Sequence, residues 1–422
     1  MTDRDLIGTE ALSIALVSEH ASPLAALGGV DAGGQNVHVA RLAGALADRG
    51  HQVTVYTRRD ARDLPDLMPL RVGVDIRHVP AGPPEAIPKD ELLPHMLGFG
   101  RHLAREWQTR PPDVVHSHFW MSGLASLHAV REMGLPLVHT YHALGTVKLR
   151  HQRHADTSPP ARIPCEKEVG LGCDRILATC HDEVRELAAM GIPAEKVDVV
   201  PCGVDTDLFT PDGTVAERGA YRHRLIQVGR VVPRKGAAVS VAALPRLPGV
   251  ELLVVGGPPP GRLDDDPEVR RLRDLAHGLE VADRVRFTGA VAGEDVAPLL
   301  RSADVVLCPG DYEPFGIVPL EAMACGRPVV ATAVGGQVDT VADPVTGRLV
   351  PPRDPEALAR AVAGLLADPA AREACGAAGR RRVLSRYGWA KVAAATEAVY
   401  LGVLAARPAL SRVPGGAWTG AV

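Results

Sequence analysis

Two glutamates, Glu313 and Glu321, stand eight residues apart in the stretch PGDYEPFGIVPLEAMACGRPVVATAVGGQ, residues 309–337. At ~100° per residue, eight residues overshoot two whole turns by about 80°, so on one helix the two carboxylates would stand well apart around the axis. The spacing instead puts Glu313 in a loop and Glu321 in the first turns of the helix after it. Composition supplies that frame. Residues 305–307 read as a short apolar strand, 318–324 as helix, and Gly326 with Pro328 as its stop; 329–334 is the next buried strand, closed by Gly335 and Gly336. Both carboxylates then face the crevice at the carboxyl ends of parallel strands, with a helix N-terminus between them whose free N–H groups suit an anion. Carboxylates accept hydrogen bonds from hydroxyl pairs, so the arrangement suits a sugar nucleotide.

Three further groups could join this chemistry. A glycine-rich loop at 28–36 (GGVDAGGQN) lies between a strand at 12–17 and a helix at 37–48, a βαβ opening with glycines at its phosphate end, although the spacing is not that of the dinucleotide fingerprint. In Gly229-Arg230-Val231-Val232-Pro233-Arg234-Lys235-Gly236 a strand again delivers glycine and basic residues to a helix start; Arg230 offers a planar fork for a diphosphate and Lys235 a point charge. Two strands end in histidines, with His116 and His118 on one and His139 and His142 on the other. Alternation along a strand sends side chains to opposite faces, so only some of the four can reach one pocket.

Other charged groups read less sharply. Residues 148–162 carry Lys148, Arg150, Arg153 and Arg162 with His151 and His154, a solvated face or a surface for an anionic acceptor. A metal site built from His139, His142, His151 and His154 lacks the cysteine or carboxylate that would complete a zinc spacing, and no metal is expected. The run Asp264-Asp265-Asp266 reads as a solvated turn before a helix.

The whole chain bounds these readings. Its 422 residues suffice for two domains, and a formal net charge of −3 argues against general nucleic-acid binding. Seven scattered cysteines with no CxxC pair suit a reducing compartment. The N-terminal apolar run is too short and too interrupted by acids for a signal peptide, and no run approaches the ~20 apolar residues of a membrane helix. The expectation is a soluble cytoplasmic protein without stable membrane insertion, compatible with a homodimer.

Strands and helices alternate in both halves, which predicts an α/β protein of two doubly wound, Rossmann-like domains facing across a cleft. Helices are expected at 89–107, 163–171 and 181–190, and strands near 75–79, 174–178 and 197–200. The turn-rich stretch 201–211 and polar residues to 222 mark the boundary. We divide the chain into 1–208, an acceptor-side domain; 209–388, a nucleotide-sugar domain; and 389–422, a crossing helix with a frayed tail.

EPFGIVPLEAMACGRPVVA at 313–331, with GRVVPRKG upstream, resembles the retaining glycosyltransferases of family 4, which have the GT-B fold. DAGGQN, HSHFWMSG, HTYHALGTVK and PCGVDTDLF resemble the branch holding the mycothiol-pathway inositol-phosphate N-acetylglucosaminyltransferases and the sucrose-phosphate synthases. The resemblance implies that Arg230 and Lys235 hold the donor diphosphate, Glu321 the ribose hydroxyls and Glu313 the donor sugar. It implies that the backbone of Phe315, Gly316, Ile317 and Val318 meets sugar and phosphate, that Gly34 brings an N–H to the diphosphate, and that His142 lies beside the anomeric carbon. No cofactor or essential metal is implied. On the acceptor side Asn36, Lys89 and Arg162 match the family's phosphate pocket, with His118 beside them. Phe119 stands where tyrosine is expected and Ala143 where threonine is expected, which removes two hydroxyl donors. The implied activity is transfer of a hexosyl group from a nucleotide sugar, UDP-linked by the resemblance, to a small polar acceptor such as a sugar phosphate, cyclitol or aminocyclitol. The alternatives are a nucleotide-sugar epimerase or hydrolase on the same fold and a non-catalytic sugar-nucleotide-binding protein.

Overall fold

The computed structural model describes residues 11–24, 34–131 and 133–406. The glycines at 28–33 and the tail after 406 lie outside the described residues. In the first domain the strands are β1 Ser13–Val17, β2 Gln52–Arg58, β3 Leu67–Arg71, β4 Val74–Val79, β5 Val114–His118, β6 Leu137–Thr140, β7 Arg175–Ala178 and β8 Val197–Val199. They form one sheet in the order β3-β4-β2-β1-β5-β6-β7-β8, parallel except for the antiparallel edge pair β3–β4. The second domain holds β9 His223–Val228, β10 Val250–Val255, β11 Val285–Gly289, β12 Val305–Cys308, β13 Val329–Thr332 and β14 Gly347–Val350, in the order β11-β10-β9-β12-β13-β14, all parallel.

Runs such as Leu252 to Val255 and Val305 to Leu307 are apolar at every position and fully buried, as a sheet covered by helices on both faces requires. In each sheet the strand order reverses beside the first strand: β1 lies between β2 and β5, and β9 between β10 and β12. These two switch points open the crevices, and the loops after β1, β5, β9 and β12 border them.

Two stretches join the domains. Val204 N donates to Tyr387 O at 2.8 Å, where the outgoing linker meets the returning chain. The helix Trp389–Ala406 then lies back on the first domain, burying Val392, Ala393, Tyr400 and Val403 beside Leu42 and Leu46 of the helix Gly34–Ala47. By length and composition this 18-residue helix is apolar enough to cross a membrane. It carries a buried carboxylate, Glu397, which accepts from Arg49 Nε at 2.7 Å and lies 2.9 Å from His51 Nε2, fastening it to the protein.

Some expected elements differ. Residues 89–107 are not one helix: Pro88 and Pro94 divide the start into two 3₁₀ turns, Lys89–Glu91 and Leu93–His95, before the α-helix Met96–Thr109. The strand β3, with Pro69 inside it, was hidden in a Pro-rich stretch and is tolerated because it is an edge. The basic stretch 148–162 is a short helix, Gly145–Gln152, then a turn and the start of a second helix at Arg162.

Candidate functional site

The helix Ile317–Ala324 begins at Gly316, which has φ of 72°, a left-handed conformation that glycine adopts without cost. Glu313 is in the loop before it and Glu321 one turn inside, as expected. The loop is pinned from behind: Gly336 N donates to Glu313 O at 2.8 Å, and a Cβ at Gly336 would lie 2.7 Å from Pro314 O, so only glycine allows that approach. Lys235, at the end of the 3₁₀ turn Pro233–Lys235, hydrogen-bonds the Glu313 carboxylate with its ammonium group. Its neighbour Gly236, with φ of 73°, packs against Pro309 O, where any side chain would collide. The loops after β9 and β12 are thereby locked together.

An open cleft of ≈ 600 Å³ lies between the domains. Arg230, Gly229, Glu321 and Ile317 line it from the second domain, Gly34, His38 and Arg41 from the first. A Cβ at Gly34 would stand 3.2 Å from Ile317 Cδ1, so two helix starts, Gly34–Ala47 and Ile317–Ala324, face each other across the domains. Opposed helix N-termini with Arg230 beside them form a place for a diphosphate. Glu321 is half-buried at the cleft wall, and burial pushes its carboxyl up to about 8.

The histidines sort by strand parity. His116 and His118 share a face of β5, and His116 lies 2.6 Å from Tyr400 OH and 2.9 Å from Thr140 Oγ1. His139 points the other way, where Ser117 Oγ lies 2.8 Å from its Nδ1. His142 rejoins the first group because its backbone takes φ of 63°; its Nε2 lies 2.9 Å from His118 Nδ1 and its ring 5.6 Å from that of Phe315 across the cleft. Positive φ at a non-glycine residue costs of order 1 kcal/mol and marks a conformation imposed by its surroundings. Burial, then the neighbouring rings, holds the protons of His118 and His142 well below the ordinary histidine range. His151 stacks on Tyr312 at 5.1 Å, a second contact between the domains away from these rings.

On the acceptor side, Asn36 Nδ2 donates to Ser22 O at 3.0 Å, and Gln35 Nε2 to Ser18 Oγ at 3.1 Å. Phe119, with φ of 79°, is buried beneath two cations: Lys89 Nζ is 5.5 Å and the Arg162 guanidinium 5.3 Å from its ring centre. Arg162 is more committed than the sequence suggested. Its Nε donates to Glu166 Oε1 at 2.8 Å, one terminal nitrogen to Ser158 Oγ at 3.1 Å and the other to Ala143 O at 2.8 Å. The basic stretch is likewise paired within the domain, Lys148 with Asp156 at 3.0 Å and Arg150 with Glu186 at 2.6 Å.

Three residues at or beside the cleft were missed in the sequence. His38, buried with its ring 5.0 Å from that of His142, follows Gly34 by four residues, one helical turn, and that periodicity was the available signal. Trp389 lines the cleft from the crossing helix and has no local signal. Arg234, adjacent to Lys235, holds its proton less tightly than usual because of burial and then of Arg230, with Glu313 opposing. It adds a third cation beside the Lys235–Glu313 pair. The acidic run needs no ligand: Asp266 caps the helix Pro267–Gly278 by accepting from Glu268 N and Val269 N, both at 2.9 Å.

Two family models match the chain: Glycosyltransferase Family 4 over residues 32–208 and Glycosyl transferases group 1 over residues 220–382. D-inositol 3-phosphate glycosyltransferase of Xylanimonas cellulosilytica is 40% identical over 418 residues, covering 95% of this chain and 99% of the relative. The protein of that name from Kribbella flavida is 38% identical over 418 residues, covering 95% and 98%. Among solved structures, sucrose-phosphate synthase from Thermosynechococcus elongatus superposes with a TM-score of 0.83 at 34% identity, covering 93% of this chain and 99% of that one. Anabaena HepE in complex with UDP shares the fold with a TM-score of 0.71 at 19% identity, covering 93% and 100%.

Proposed function

The chain belongs to the family 4 glycosyltransferases with the GT-B fold, and on that footing we propose that it transfers a hexosyl group, with retention, from a UDP-linked sugar to a small phosphorylated acceptor. The observation that carries the reading is a cleft between the domains lined by Arg230, Glu321 and two opposed helix starts, with the Lys235–Glu313 pair on the loops after β9 and β12 and His142 against Phe315 where the domains meet. Arg230 and Lys235 take the diphosphate and the charge that grows on it as the glycosidic bond breaks. Glu321 accepts from the ribose hydroxyls, and Glu313, held by Lys235, accepts from the donor sugar. The N–H groups of Phe315, Gly316, Ile317 and Val318 supply the rest of the anion cradle.

The acceptor enters from the first domain, past Asn36, Lys89, His118, Phe119 and Arg162. Its hydroxyl attacks the anomeric carbon on the face the diphosphate leaves, and the departing phosphate oxygen takes the hydroxyl proton. No pair of protein carboxylates of the glycosidase kind is then needed. As in the family that the sequence resembles, the reaction proposed uses no metal and no cofactor. The relatives named for D-inositol 3-phosphate put a cyclitol phosphate first among candidate acceptors. Phe119 and Ala143 reshape that pocket, since neither offers a hydroxyl and Arg162 turns to the Ala143 carbonyl. A sugar phosphate fits the same chemistry.

The test is a calorimetric panel of UDP-glucose, UDP-N-acetylglucosamine, GDP-mannose and ADP-glucose, followed by turnover with D-inositol 3-phosphate and fructose 6-phosphate. Binding of a UDP sugar and an α-linked product are expected. Failure of every nucleotide sugar to bind, or an inverted product, overturns the proposal.

A further inference from the structure

A second groove of ≈ 520 Å³ opens on the far side of the second domain. Asp304, before β12, and Arg327 and Pro328, before β13, line it, so it lies at the amino ends of the strands, opposite the cleft. Its other wall is the helix Pro369–Arg386, through Arg372, Glu373 and Arg380.

The charges here do not balance. Asp304 serves four partners: Arg218 at 2.5 Å, the backbone N of Arg224 at 2.9 Å, and Arg372 and His223 at 3.7 Å each. A separation of 3.7 Å is too long for a hydrogen bond, and the other terminal nitrogen of Arg372 is buried with no acceptor. Arg327 has two carbonyl contacts, both at the long distance of 3.3 Å. Burial, with Arg372 and Arg218 nearby, weakens its hold on its proton, while Asp304 opposes that. Arg380, by contrast, is satisfied by the carbonyls of Phe209, Ala324 and Thr206. Glu373 is exposed at the rim. Two guanidinium groups thus line the groove, one with a buried donor nitrogen that finds no acceptor and the other held by two long carbonyl contacts, and guanidinium donors match the geometry of a tetrahedral oxyanion.

We infer that this groove is a second ligand site, for the phosphate group of a small phosphate monoester, gripped by Arg327 and Arg372. The groove has room beyond the phosphate for the body of a small metabolite. Its helical wall runs on to Tyr387, whose carbonyl receives Val204 N where the chain crosses between the domains. The ligand therefore sits against the element that joins them.

Inorganic phosphate and glucose 6-phosphate are titrated by calorimetry into the full chain, into R327Q/R372Q and into the cleft variant K235A. The expected result is saturable binding of both ligands, the monoester at least as tight, weakened at least tenfold in R327Q/R372Q and kept in K235A. Loss in K235A with retention in R327Q/R372Q places the anion in the cleft and overturns the inference. So does binding of phosphate without the monoester, or no binding at all. Should R327Q/R372Q fail to fold, hydrogen exchange on the unmodified protein decides: glucose 6-phosphate is expected to protect residues 326–328 and 369–377, and unchanged exchange there overturns the assignment.

Discussion

His118 Nδ1 and His142 Nε2 stand 2.9 Å apart, so the two rings share one proton along that line. Their outer nitrogens, His118 Nε2 and His142 Nδ1, are both buried without a partner. Whichever tautomer holds, one outer nitrogen carries a hydrogen and the other a lone pair, and a second proton would set two cations against each other. His38, His116 and His139 are buried around them, and burial lowers His38 to about 4 and His139 to about 3. All five are depressed in the folded state, so the unfolded chain takes up more protons below the ordinary value near 6.5. Their contribution to stability is complete above 6.5 and is lost as pH falls toward the folded values, at roughly 1.4 kcal/mol per pH unit for each independently titrating ring. The midpoint of thermal unfolding is expected to fall steeply between pH 6.5 and 5, against the smaller opposing contribution of the raised carboxyl of Glu321. A flat profile there contradicts the neutral cluster.

The Lys235–Glu313 pair makes a separate prediction. The ammonium group is half-buried and already near the diphosphate position, so K235A removes a charge-assisted contact to the donor, worth roughly 1.5–3 kcal/mol or about 10- to 150-fold in affinity. Thermal stability is expected to change little, because the pair stays partly solvated. Calorimetry with UDP and a UDP sugar measures the first effect and a melting curve the second. Unchanged donor affinity removes the assigned role.

Much of this arrangement was legible because it is local. Glycine and proline punctuate the stretch around Glu313 and Glu321, and that punctuation separates loop from helix. The runs that became β10 and β12 are apolar at nearly every position and admit few other readings. What escaped depends on contacts distant in sequence. Phe119 lies under Lys89 and Arg162 only because its backbone turns left-handed after β5. Arg162 read as part of a basic face or as a ligand for an acceptor phosphate, yet Glu166, one turn on, was there to claim it. Trp389 reaches the cleft through the return of the last described helix, where its ring lies so near Gly203 that a Cβ there would sit 2.5 Å from it. No local pattern encodes such a return.

Glu321 gives a prediction readable in protons. Burial raises its carboxyl to about 8, so at pH 7 most of the free protein holds it neutral. Ribose hydroxyls donating to it favour the ionised form, so nucleotide binding should release up to one proton per site near pH 7. Calorimetry in buffers of different ionisation enthalpy measures this, and E321Q should abolish it. The linkage has a second consequence. A carboxyl raised in the folded state stabilises the fold below its unfolded value, and that benefit is lost as pH climbs from about 4.5 through 8. E321Q should therefore gain stability relative to the unmodified protein over that range, on the order of a few kcal/mol at its upper end. An equal pH profile for both proteins rules out the raised carboxyl.

On the proposed function, Phe119 is a determinant of acceptor preference. Its ring is covered by two cations but offers them no hydrogen-bonding oxygen, and Ala143 contributes only a carbonyl, already taken by Arg162. F119Y would add one hydroxyl beside Lys89. If the acceptor is a phosphate held there, the new donor is worth about 0.5–1.5 kcal/mol, a two- to tenfold lower KM for D-inositol 3-phosphate. The donor KM should not move, because Phe119 lies on the acceptor side. A143T tests the neighbouring position, and the two changes together should add unless the Arg162 guanidinium shifts to meet the new hydroxyls. Steady-state kinetics with each acceptor measures all three proteins. If F119Y raises the KM for inositol phosphate while that for another sugar phosphate stays fixed, the pocket is not built around the inositol phosphate group, and the acceptor must be sought among other polar sugars.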